Sequence, residues 1–456
     1  MKLKYILVIS VLYLLFTGCK KDWLDAKPST DLVVPQNLGD YQSLLDNTDV
    51  FNTNEPVVGL MAGEQFHLSE SDWQNVPVLT FKNAYIWSDD VYQGEEGNSG
   101  WWNSYTKVLY ANVVLEGITK INPTAANQVA WNNIKGSSLF FRAFEFYNLS
   151  QLFCKPYNST TANSDLGVPL RTKSDINTPS VRATLQQTYD QIINDLQAAR
   201  ELLPVSPTIR SRPSRQAADA LLARIYLSME DYAKAGEAAT KALQSYNILI
   251  DYNSLNASSS SPFPSLRNGN TEVIFYAEMQ GVQVLNSPAL IVDPVLYSLY
   301  DSADLRKSIF FTSNGGIKNF KGNYTGTLFY HFAGLATDEL YLIRAESYAR
   351  ANKTIEALQD LNRLLQNRYQ GTFVPVTATS ANDALIRIVA ERKKELPYRG
   401  LRWSDLRRLN KDNQFKETLT RGLNGQTYSL LPNDPKYVFL IPPEIIRLSG
   451  IQQNIR

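Results

Sequence analysis

Two stretches of this chain share one pattern of apolar and small residues, and this pattern restricts the possible folds more than any other feature of the sequence. The first stretch spans residues 220–243 and the second spans residues 342–365. In both, apolar residues recur at three- and four-residue steps, which is the spacing of one face of an α-helix, and a short polar break divides the run. Each stretch therefore predicts a helix-turn-helix pair.

The equivalent positions of the two pairs carry the same kinds of side chain. In the first pair, Ala223 and Ala235 are small enough to let the helices approach closely, and Tyr226 fills the space between them. The matching positions of the second pair are Ala345, Tyr348, Ala357, Leu361 and Leu364. This pattern is typical of a tetratricopeptide unit, which buries little surface alone and needs stacked neighbours. We therefore expect a mainly α fold, a tetratricopeptide-like scaffold built from helix pairs dispersed along the chain.

Further periodic runs predict helices that stack on these pairs. They span residues 102–121, 131–153 and 184–203. In the last of these, Thr184 and Gln187 have the spacing of a capping box. In the first, Trp102 and Tyr105 lie at helical spacing, so we interpret both as core residues.

Long irregular segments separate the predicted helices. Residues 51–100 and 252–334 carry Gly, Pro and polar turn signals, with a short strand predicted at 271–276 and hairpin turns at 314–326. The chain has 25 Tyr, 19 Phe and 7 Trp, and aromatic residues are frequent in these segments, which argues against disorder. Long loops in a compact domain are usually functional. We therefore expect a few short strands and predict that these segments are ordered.

The N-terminus is predicted to be a targeting signal. A basic start is followed by an apolar run over residues 5–16 and then by Thr17, Gly18 and Cys19. The apolar run is shorter than the roughly 20 residues that a membrane-spanning helix needs. The stretch resembles a bacterial lipoprotein signal, in which residues 1–18 are removed and Cys19 carries the lipid. Residues 19–50 would then form a tether that leads into the fold, anchored to the membrane rather than spanning it.

Composition excludes several classes of function. The chain has 45 Lys and Arg against 44 Asp and Glu, so no phosphate-binding surface is expected and nucleic acid is not a predicted partner. With 2 His and 2 Cys, and no metal-ligand spacing, we predict neither a metal site nor a cofactor. No nucleophile–base set, P-loop or dinucleotide fingerprint is visible, so the chain is not predicted to be an enzyme. Cys154 is interpreted as a small core residue.

Several short motifs follow one another along the chain in a recognisable order. They are Lys21-Asp22-Trp23-Leu24-Asp25 after Cys19, Trp102…Tyr105…Ala111-Asn112, Arg142-Ala143, Gly167-Val168-Pro169-Leu170, Tyr189…Asp195-Leu196, the run 212–227, Glu391-Arg392…Glu395-Leu396, the run 400–408, and Ile441-Pro442-Pro443-Glu444. Each is weak alone. In this order they resemble the SusD/RagB family of outer-membrane nutrient-binding lipoproteins over nearly the whole chain. Arg399 departs from the pattern, because many members have an acidic residue there.

The resemblance implies an organisation and a function. The scaffold would comprise an N-terminal part at 51–250, the loop-rich ligand face at 251–335 and a C-terminal part at 336–456, with 19–456 forming one compact unit. The family implies a non-catalytic lid, lipid-anchored on the outer membrane and facing the cell exterior. Such a lid captures an oligosaccharide, or in some members a peptide, and delivers it to a SusC-like TonB-dependent transporter.

Aromatic residues of the irregular segments are the candidate ligand contacts. A sugar presents a C–H face that stacks on an aromatic ring, while neighbouring polar side chains bind its hydroxyls. The candidates are Trp73, Tyr85, Trp87, Tyr92 and Tyr324. The alternative for each is a core aromatic that anchors a long loop.

Charged residues near the C-terminus invite a catalytic interpretation, which we weigh against a structural one. Glu391 and Glu395 are one helical turn apart, and Asp405, Arg407 and Arg408 follow close behind. We predict that they form ion pairs that hold the C-terminal region onto the helices.

Two rival functions remain open alongside glycan or peptide capture. A surface glycoside hydrolase would need only two carboxylates, which a chain with 44 acidic residues could supply. A helical-repeat adaptor that binds only protein would not need aromatic-rich loops.

Overall fold

The computed structural model describes residues 35–97, 99–265, 269–286 and 288–456. The predicted signal, the lipidation site Cys19 and the first part of the tether lie outside the described residues. Across the described part of the chain, every helix is too short or too polar to span a bilayer.

Helices dominate the regular structure, as predicted. They are α1 (Leu38–Leu45), α2 (Thr48–Phe51), α3 (Val58–Gly63), α4 (Glu70–Gln74), α5 (Leu79–Tyr85), α6 (Ser99–Ile118), α7 (Gln128–Phe153), α8 (Leu185–Leu202), α9 (Arg215–Ser228), α10 (Tyr232–Ser245), α11 (Pro294–Ser298), α12 (Arg306–Ile309), α13 (Thr337–Arg350), α14 (Thr354–Leu365), α15 (Ala381–Glu395), α16 (Arg402–Leu409) and α17 (Pro443–Ser449). Segment 51–100, predicted as mostly irregular, contains three of the short ones, α3 to α5. Each has seven residues or fewer, too short to show a helical period in the sequence.

The strands are short and pair in twos. They are β1 (Phe66–His67), β2 (Leu166–Pro169), β3 (Arg182–Thr184), β4 (Val273–Phe275), β5 (Ile291–Val292), β6 (Phe311–Asn314), β7 (Ile317–Phe320), β8 (Leu335–Ala336), β9 (Leu419–Leu423) and β10 (Gln426–Leu430). The antiparallel partners are β1 with β5, β2 with β3, β4 with β8, β6 with β7 and β9 with β10. The strand predicted at 271–276 is β4. The predicted hairpin is β6–β7, which turns through Gly315 and Gly316 at φ of 56° and 90°.

The two predicted helix pairs are confirmed as α9–α10 and α13–α14. Ala223 and Ala235 are fully buried where the helices of the first pair meet. The pairs are distant in sequence but adjacent in space, because α10 packs on α13. At that contact a Cβ added to Gly236 would lie 2.9 Å from the Cβ of Ser347, so the missing side chain permits the close approach. Stacking of this kind supplies the neighbours that an isolated pair lacks.

The other predicted helices extend the stack. α8 begins with the predicted capping box, in which Thr184 Oγ1 accepts from Gln187 N at 3.1 Å and Gln187 Oε1 accepts from Thr184 N at 2.9 Å. α7 packs between α6 and α8 and is buried over most of its length. Cys154 follows α7 and is buried, as predicted, and burial raises the pKa of its thiol to about 11.

The charged residues near the C-terminus form a buried ion network, which confirms their structural interpretation. Arg407 is the exception to the predicted ion pairs, because its guanidinium donates to the carbonyls of Gln151 and Cys154. Arg306 pairs with Asp304 at 2.7 Å and with Glu391 and Glu395 at 2.9 Å each. Arg368 joins the same network by pairing with Glu395 at 2.7 Å.

A second set of pairs extends the network to α13 and α16. Asp405 of α16 pairs with Arg392 at 2.8 Å and with Arg408 at 2.9 Å, and Arg408 also reaches Glu346 of α13 at 2.7 Å. These partners are largely shielded from water, where an unpaired charge would be costly. The network therefore holds the C-terminal helices against the scaffold.

Candidate functional site

Three of the aromatic residues predicted to bind ligand lie inside the protein. Tyr85, Trp87 and Tyr92 are each 1% exposed. Their polar atoms are bonded to the main chain, since Tyr85 Oη accepts from Leu68 N at 2.9 Å, Trp87 Nε1 donates to the Ala62 carbonyl at 3.0 Å, and Tyr92 Oη donates to the Leu440 carbonyl at 2.9 Å. In this conformation the three rings anchor irregular segments to the core. Ligand contact by them would require those segments to move, and it stays a prediction.

Tyr324 is likewise 1% exposed. Its hydroxyl donates to Glu272 Oε2 at 2.6 Å and lies 2.8 Å from the hydroxyl of Tyr252. The Arg399 guanidinium lies 3.5 Å from the ring centroid and pairs with Asp338 at 2.6 Å. Arg399, the departure from the family pattern, thus occupies a buried position where it balances an acidic partner. Tyr324 belongs to the interior of the loop-rich segment, and its contact with ligand also stays a prediction.

Trp73 is the one sequence-predicted aromatic that retains accessible surface. It is half-buried, and its Nε1 donates to the Lys82 carbonyl at 3.0 Å. The Lys82 ammonium lies 4.7 Å from the centroid of its ring, so a cation already covers part of the π surface. The structure does not bring the five candidates together into one surface.

Trp102 was predicted to be a core residue, and this prediction is wrong. Its side chain is 40% exposed, whereas the adjacent Trp101 is 3% exposed and packs against Phe153 at 5.0 Å between ring centroids. Successive residues of an α-helix point about 100° apart, and α6 turns Trp101 towards the core and Trp102 away from it. Tyr105, one turn after Trp101, shares its face and is half-buried, with its hydroxyl donating to the Pro169 carbonyl at 2.8 Å.

The exposed indole of Trp102 forms part of a groove, which we call the Trp102 groove. It has a volume of about 620 Å³ and lies between α6, the loop 169–180 and α17. Trp102, Ile176 and Leu448 project exposed apolar surface from these three elements. A Cβ added to Gly97 would lie 3.3 Å from Trp102 Nε1, so glycine leaves room for the edge of the indole. Sequence reasoning missed this groove, although the Trp101–Trp102 pair was a signal that one of the two faces outward.

Polar side chains complete the wall of the groove on its loop side. They are Arg171, Lys173, Asn177, Thr178 and Ser180. Arg171 folds back on its own loop, where its guanidinium donates to the Asp175 carbonyl at 2.5 Å, to Ser180 Oγ at 3.3 Å and to the Thr178 carbonyl. Apolar surface with a small number of fixed polar groups is the usual composition of a small-molecule site.

A chain of buried polar contacts fixes this loop to the helices. Asn112 of α6 donates its side-chain amide to the carbonyls of Arg171 at 2.8 Å and Lys173 at 3.2 Å. Its amide oxygen accepts from Arg142 at 2.9 Å, and Arg142 forms a two-bond pair with Asp195 at 2.8 and 2.7 Å. Burial raises the pKa of Asp195, and the Arg142 guanidinium opposes that rise. Three residues of the recognised motifs therefore hold one wall of the groove.

A second exposed aromatic surface, the 328–330 patch, lies on the loop-rich segment. Leu328, Phe329 and Tyr330 are exposed there, and a Cβ added to Gly281 would lie 3.0 Å from the Tyr330 ring. None of its residues lines the Trp102 groove.

One cluster of carboxylates has the spacing of a metal site. Oxygens of Glu272, Asp338 and Glu395 lie within 4.8 Å of one another. Arg368 and Arg399 insert among them, with Arg368 Nη2 at 2.8 Å from Glu272 and Arg399 Nη2 at 2.6 Å from Asp338. Burial raises the pKa of Glu272 to about 7, and Arg368 opposes that rise. With the guanidinium groups in place, the cluster is an ion network and offers no open position to a cation.

Comparisons with known proteins agree in family and in fold. A family model described as starch-binding associating with outer membrane matches residues 22–227, and one described as the SusD family matches residues 337–438. A SusD-like protein P2 from Formosa agariphila is 25% identical over 99% of each chain.

Solved structures show the same architecture. A SusD superfamily protein from Bacteroides thetaiotaomicron superimposes with a TM-score of 0.72 at 22% identity and covers 92% of this chain and 100% of its own. A SusD-like carbohydrate binding protein from Bacteroides vulgatus gives a TM-score of 0.66 at 19% identity and covers 91% of this chain and 97% of its own. At these identities the likeness confirms the tetratricopeptide-like helical fold.

Proposed function

We propose that this chain, which belongs to the SusD/RagB family, is a non-catalytic glycan-binding protein that uses the Trp102 groove as its ligand site. The observation that carries the proposal is the 40% exposed indole of Trp102 in the wall of a cavity of about 620 Å³. A large apolar ring exposed in a concave site costs solvation free energy unless a ligand covers it. The carbohydrate-binding description of a structural relative supports the same class of ligand.

The chemistry of the groove suits a saccharide. The indole of Trp102 offers a flat surface on which the C–H face of a sugar ring stacks, and its position on a long helix limits the entropy lost on binding. Asn177 and Thr178 on the facing loop supply amide and hydroxyl groups for sugar hydroxyls. Ile176 and Leu448 contribute further apolar contact at the rim.

A binding role is favoured over hydrolysis by the lining of the groove. Among the described residues, no Asp or Glu lines it. Glycoside hydrolysis by the common mechanisms requires two carboxylates on either side of the scissile bond. The groove therefore supports capture without cleavage.

The cellular context of this proposal comes from the family. The chain would be lipidated at Cys19, sit on the outer face of the outer membrane and deliver its glycan to a SusC-like TonB-dependent transporter. Labelling with a radioactive fatty acid tests the lipid anchor. The label should be absent from a Cys19→Ala variant. Co-purification of a large outer-membrane barrel from native membranes tests the partner.

The groove is tested by calorimetry of the full chain, purified in detergent, against a panel of glycans, with the reaction products checked in parallel. We expect binding without turnover, and we expect Trp102→Ala to weaken it by about 10-fold or more, the loss typical of a central aromatic contact. Phe329→Ala, which removes a ring that is 65% exposed from the 328–330 patch, is the control. Loss of binding in Phe329→Ala alone would move the ligand site to that patch, whereas cleavage products would overturn the binding role.

A further inference from the structure

The Trp102 groove has an unbalanced charge. Arg171 and Lys173 line it, and they are the only ionisable groups with a charge at neutral pH among its described lining residues. Over the whole chain, by contrast, 45 basic residues face 44 acidic ones. The excess of positive charge is therefore a local property of this surface.

The charge of Arg171 is not neutralised by its own contacts. Its three hydrogen bonds go to the carbonyls of Asp175 and Thr178 and to the hydroxyl of Ser180, all of which are uncharged acceptors. A guanidinium has five N–H donors in a planar fork, so donors remain beyond these bonds. The contacts hold the side chain in one orientation without an ion pair to a carboxylate of the described chain. The nearby Asp175 feels this charge, since hydrogen bonds from Asn177 and Thr178, and then Arg171, lower the pKa of its carboxyl group.

Lys173 is exposed, and its ammonium forms no ion pair with a carboxylate of the described chain. The nearest acidic groups are committed to the loop itself. Glu116 accepts from Ser174 N at 3.0 Å and from the Ser174 hydroxyl, and Asp175 accepts from Asn177 N at 2.9 Å and from Thr178 Oγ1 at 2.8 Å. Hydrogen bonds from Ser174 and the charge of Lys173 keep the pKa of Glu116 below its usual value. Both carboxylates therefore help to shape the loop, and neither lines the groove.

We propose that the Trp102 groove selects anionic sugar residues, with Trp102 stacking on the sugar ring and Arg171 and Lys173 binding its carboxylate or sulfate group. This inference rests on the proposed glycan-binding function and names the class of glycan. A guanidinium in a fixed orientation matches the paired oxygens of either anion, and an ammonium beside it adds a flexible point charge. A neutral glycan would leave both cations without a partner, so the site discriminates by charge as well as by ring shape.

The experiment compares charged glycans with neutral counterparts on the full chain in detergent. One arm uses an oligogalacturonate and its methyl ester, and the other uses a sulfated galactan oligosaccharide and its desulfated form. Within each arm the ring stereochemistry is kept and only the charge changes. We expect the anionic form to bind more tightly in at least one arm, and the arm that shows it identifies the anion as carboxylate or sulfate. That preference should weaken as salt is added, because screening reduces the attraction between exposed charges.

Charge reversal in the groove separates a direct contact from a general effect of charge. Lys173→Glu should weaken binding of the anionic glycan by about 10-fold or more, the equivalent of one charge-assisted hydrogen bond. It should weaken binding of the neutral form less, so the ratio of the two affinities should fall. Lys416→Glu makes the same change of net charge at an exposed residue outside the groove and should have no comparable effect. Both variants replace exposed side chains, so an unchanged unfolding temperature serves to confirm that the fold is intact.

The outcomes separate this inference from the proposed function. Equal binding of charged and neutral forms, with no effect of Lys173→Glu, would overturn the anion preference and leave glycan binding standing. A similar loss in Lys416→Glu would also overturn it, because the effect would then not be specific to the groove. Failure of the wild-type chain to bind any saccharide, charged or neutral, would overturn the proposed function itself.

Discussion

The C-terminal ion network and the Trp102 groove use positive charge in opposite ways. In the network, Arg306 and Arg368 are fully buried and each meets at least two carboxylates at 2.9 Å or less. In the groove, the hydrogen bonds of Arg171 go to neutral acceptors, and the exposed Lys173 forms no ion pair with a carboxylate of the described chain. A buried cation needs acceptors inside the protein, whereas a cation at an open groove can be solvated until a ligand binds. The same residue types therefore stabilise the fold in one region and, in the function we propose, bind ligand in the other.

The largest expected loss of stability comes from a substitution that breaks the ion network. Glu395→Ala removes the carboxylate that Arg306 and Arg368 share, which leaves two buried guanidinium groups with an excess of positive charge. Loss of one partner from a buried ion pair costs about 3–5 kcal/mol, and we expect a loss of that order in the free energy of unfolding. Denaturant titration measures it.

A matched surface pair provides the control for that loss. Arg387→Ala breaks the contact with Asp383, in which the arginine side chain is 48% exposed, and it should leave the denaturation midpoint unchanged. Equal effects of Glu395→Ala and Arg387→Ala would mean that burial does not distinguish the two kinds of pair.

The next prediction uses the two adjacent tryptophans of α6. Trp101→Ala should lower the free energy of unfolding by about 3–5 kcal/mol, because the residue is 3% exposed and its removal leaves a cavity in the core. Trp102→Ala should change stability much less and instead weaken glycan binding. Chemical denaturation and calorimetry of the two variants, side by side, test this division. If Trp101→Ala proved as stable as Trp102→Ala, the assignment of faces on α6 would be incorrect.

A pH-dependent effect on stability is expected at a third site, where one buried cation faces two carboxylates. Lys107 contacts both Glu55 and Glu145, so one ammonium faces two carboxylates away from water. Burial, followed by repulsion from Glu145, raises the pKa of Glu55 to about 8, although Lys107 opposes the shift. Asn148 also donates to Glu55, at 2.8 Å, and is the remaining polar neighbour of that carboxyl group.

The sign of the resulting pH dependence follows from the direction of the shift. Glu55 holds its proton in the folded state up to about pH 8 but loses it near pH 4.5 in the unfolded state. Its contribution to stability is therefore complete below pH 4.5 and is lost as the pH rises through about 8. Relative to a Glu55→Gln variant, the wild-type chain should lose stability between these values, as measured by thermal unfolding at a series of pH values. Parallel curves for the two proteins would contradict the shift.

Local sequence patterns were enough to predict much of the scaffold. The helix pairs at α9–α10 and α13–α14 and the capping box of α8 depend on residues a few positions apart, which periodicity records directly. The presence of ion pairs near the C-terminus was also predictable, although the individual partners were not. Acidic side chains one helical turn apart, with arginines nearby, seldom remain unpaired.

The binding surface was much less predictable, because burial is set by contacts between distant parts of the chain. Tyr92 is covered by Leu440, which lies 348 residues later in the sequence, and Arg421 lies 4.9 Å from the ring centroid of Trp87. Neither partner can be deduced from the neighbouring residues. Trp102 was misassigned for a different reason: spacing alone does not say which of two adjacent tryptophans faces inward.

The way in which the groove loop is attached has an evolutionary consequence. Asn112 holds the loop by hydrogen bonds to the carbonyl oxygens of residues 171 and 173. Every amino acid has such a carbonyl. Side chains at positions such as 173, 176 and 177 can therefore be exchanged while the anchoring bonds persist. In the function we propose, substitutions at these positions would therefore change the ligand preference of the groove and leave the helical framework unchanged.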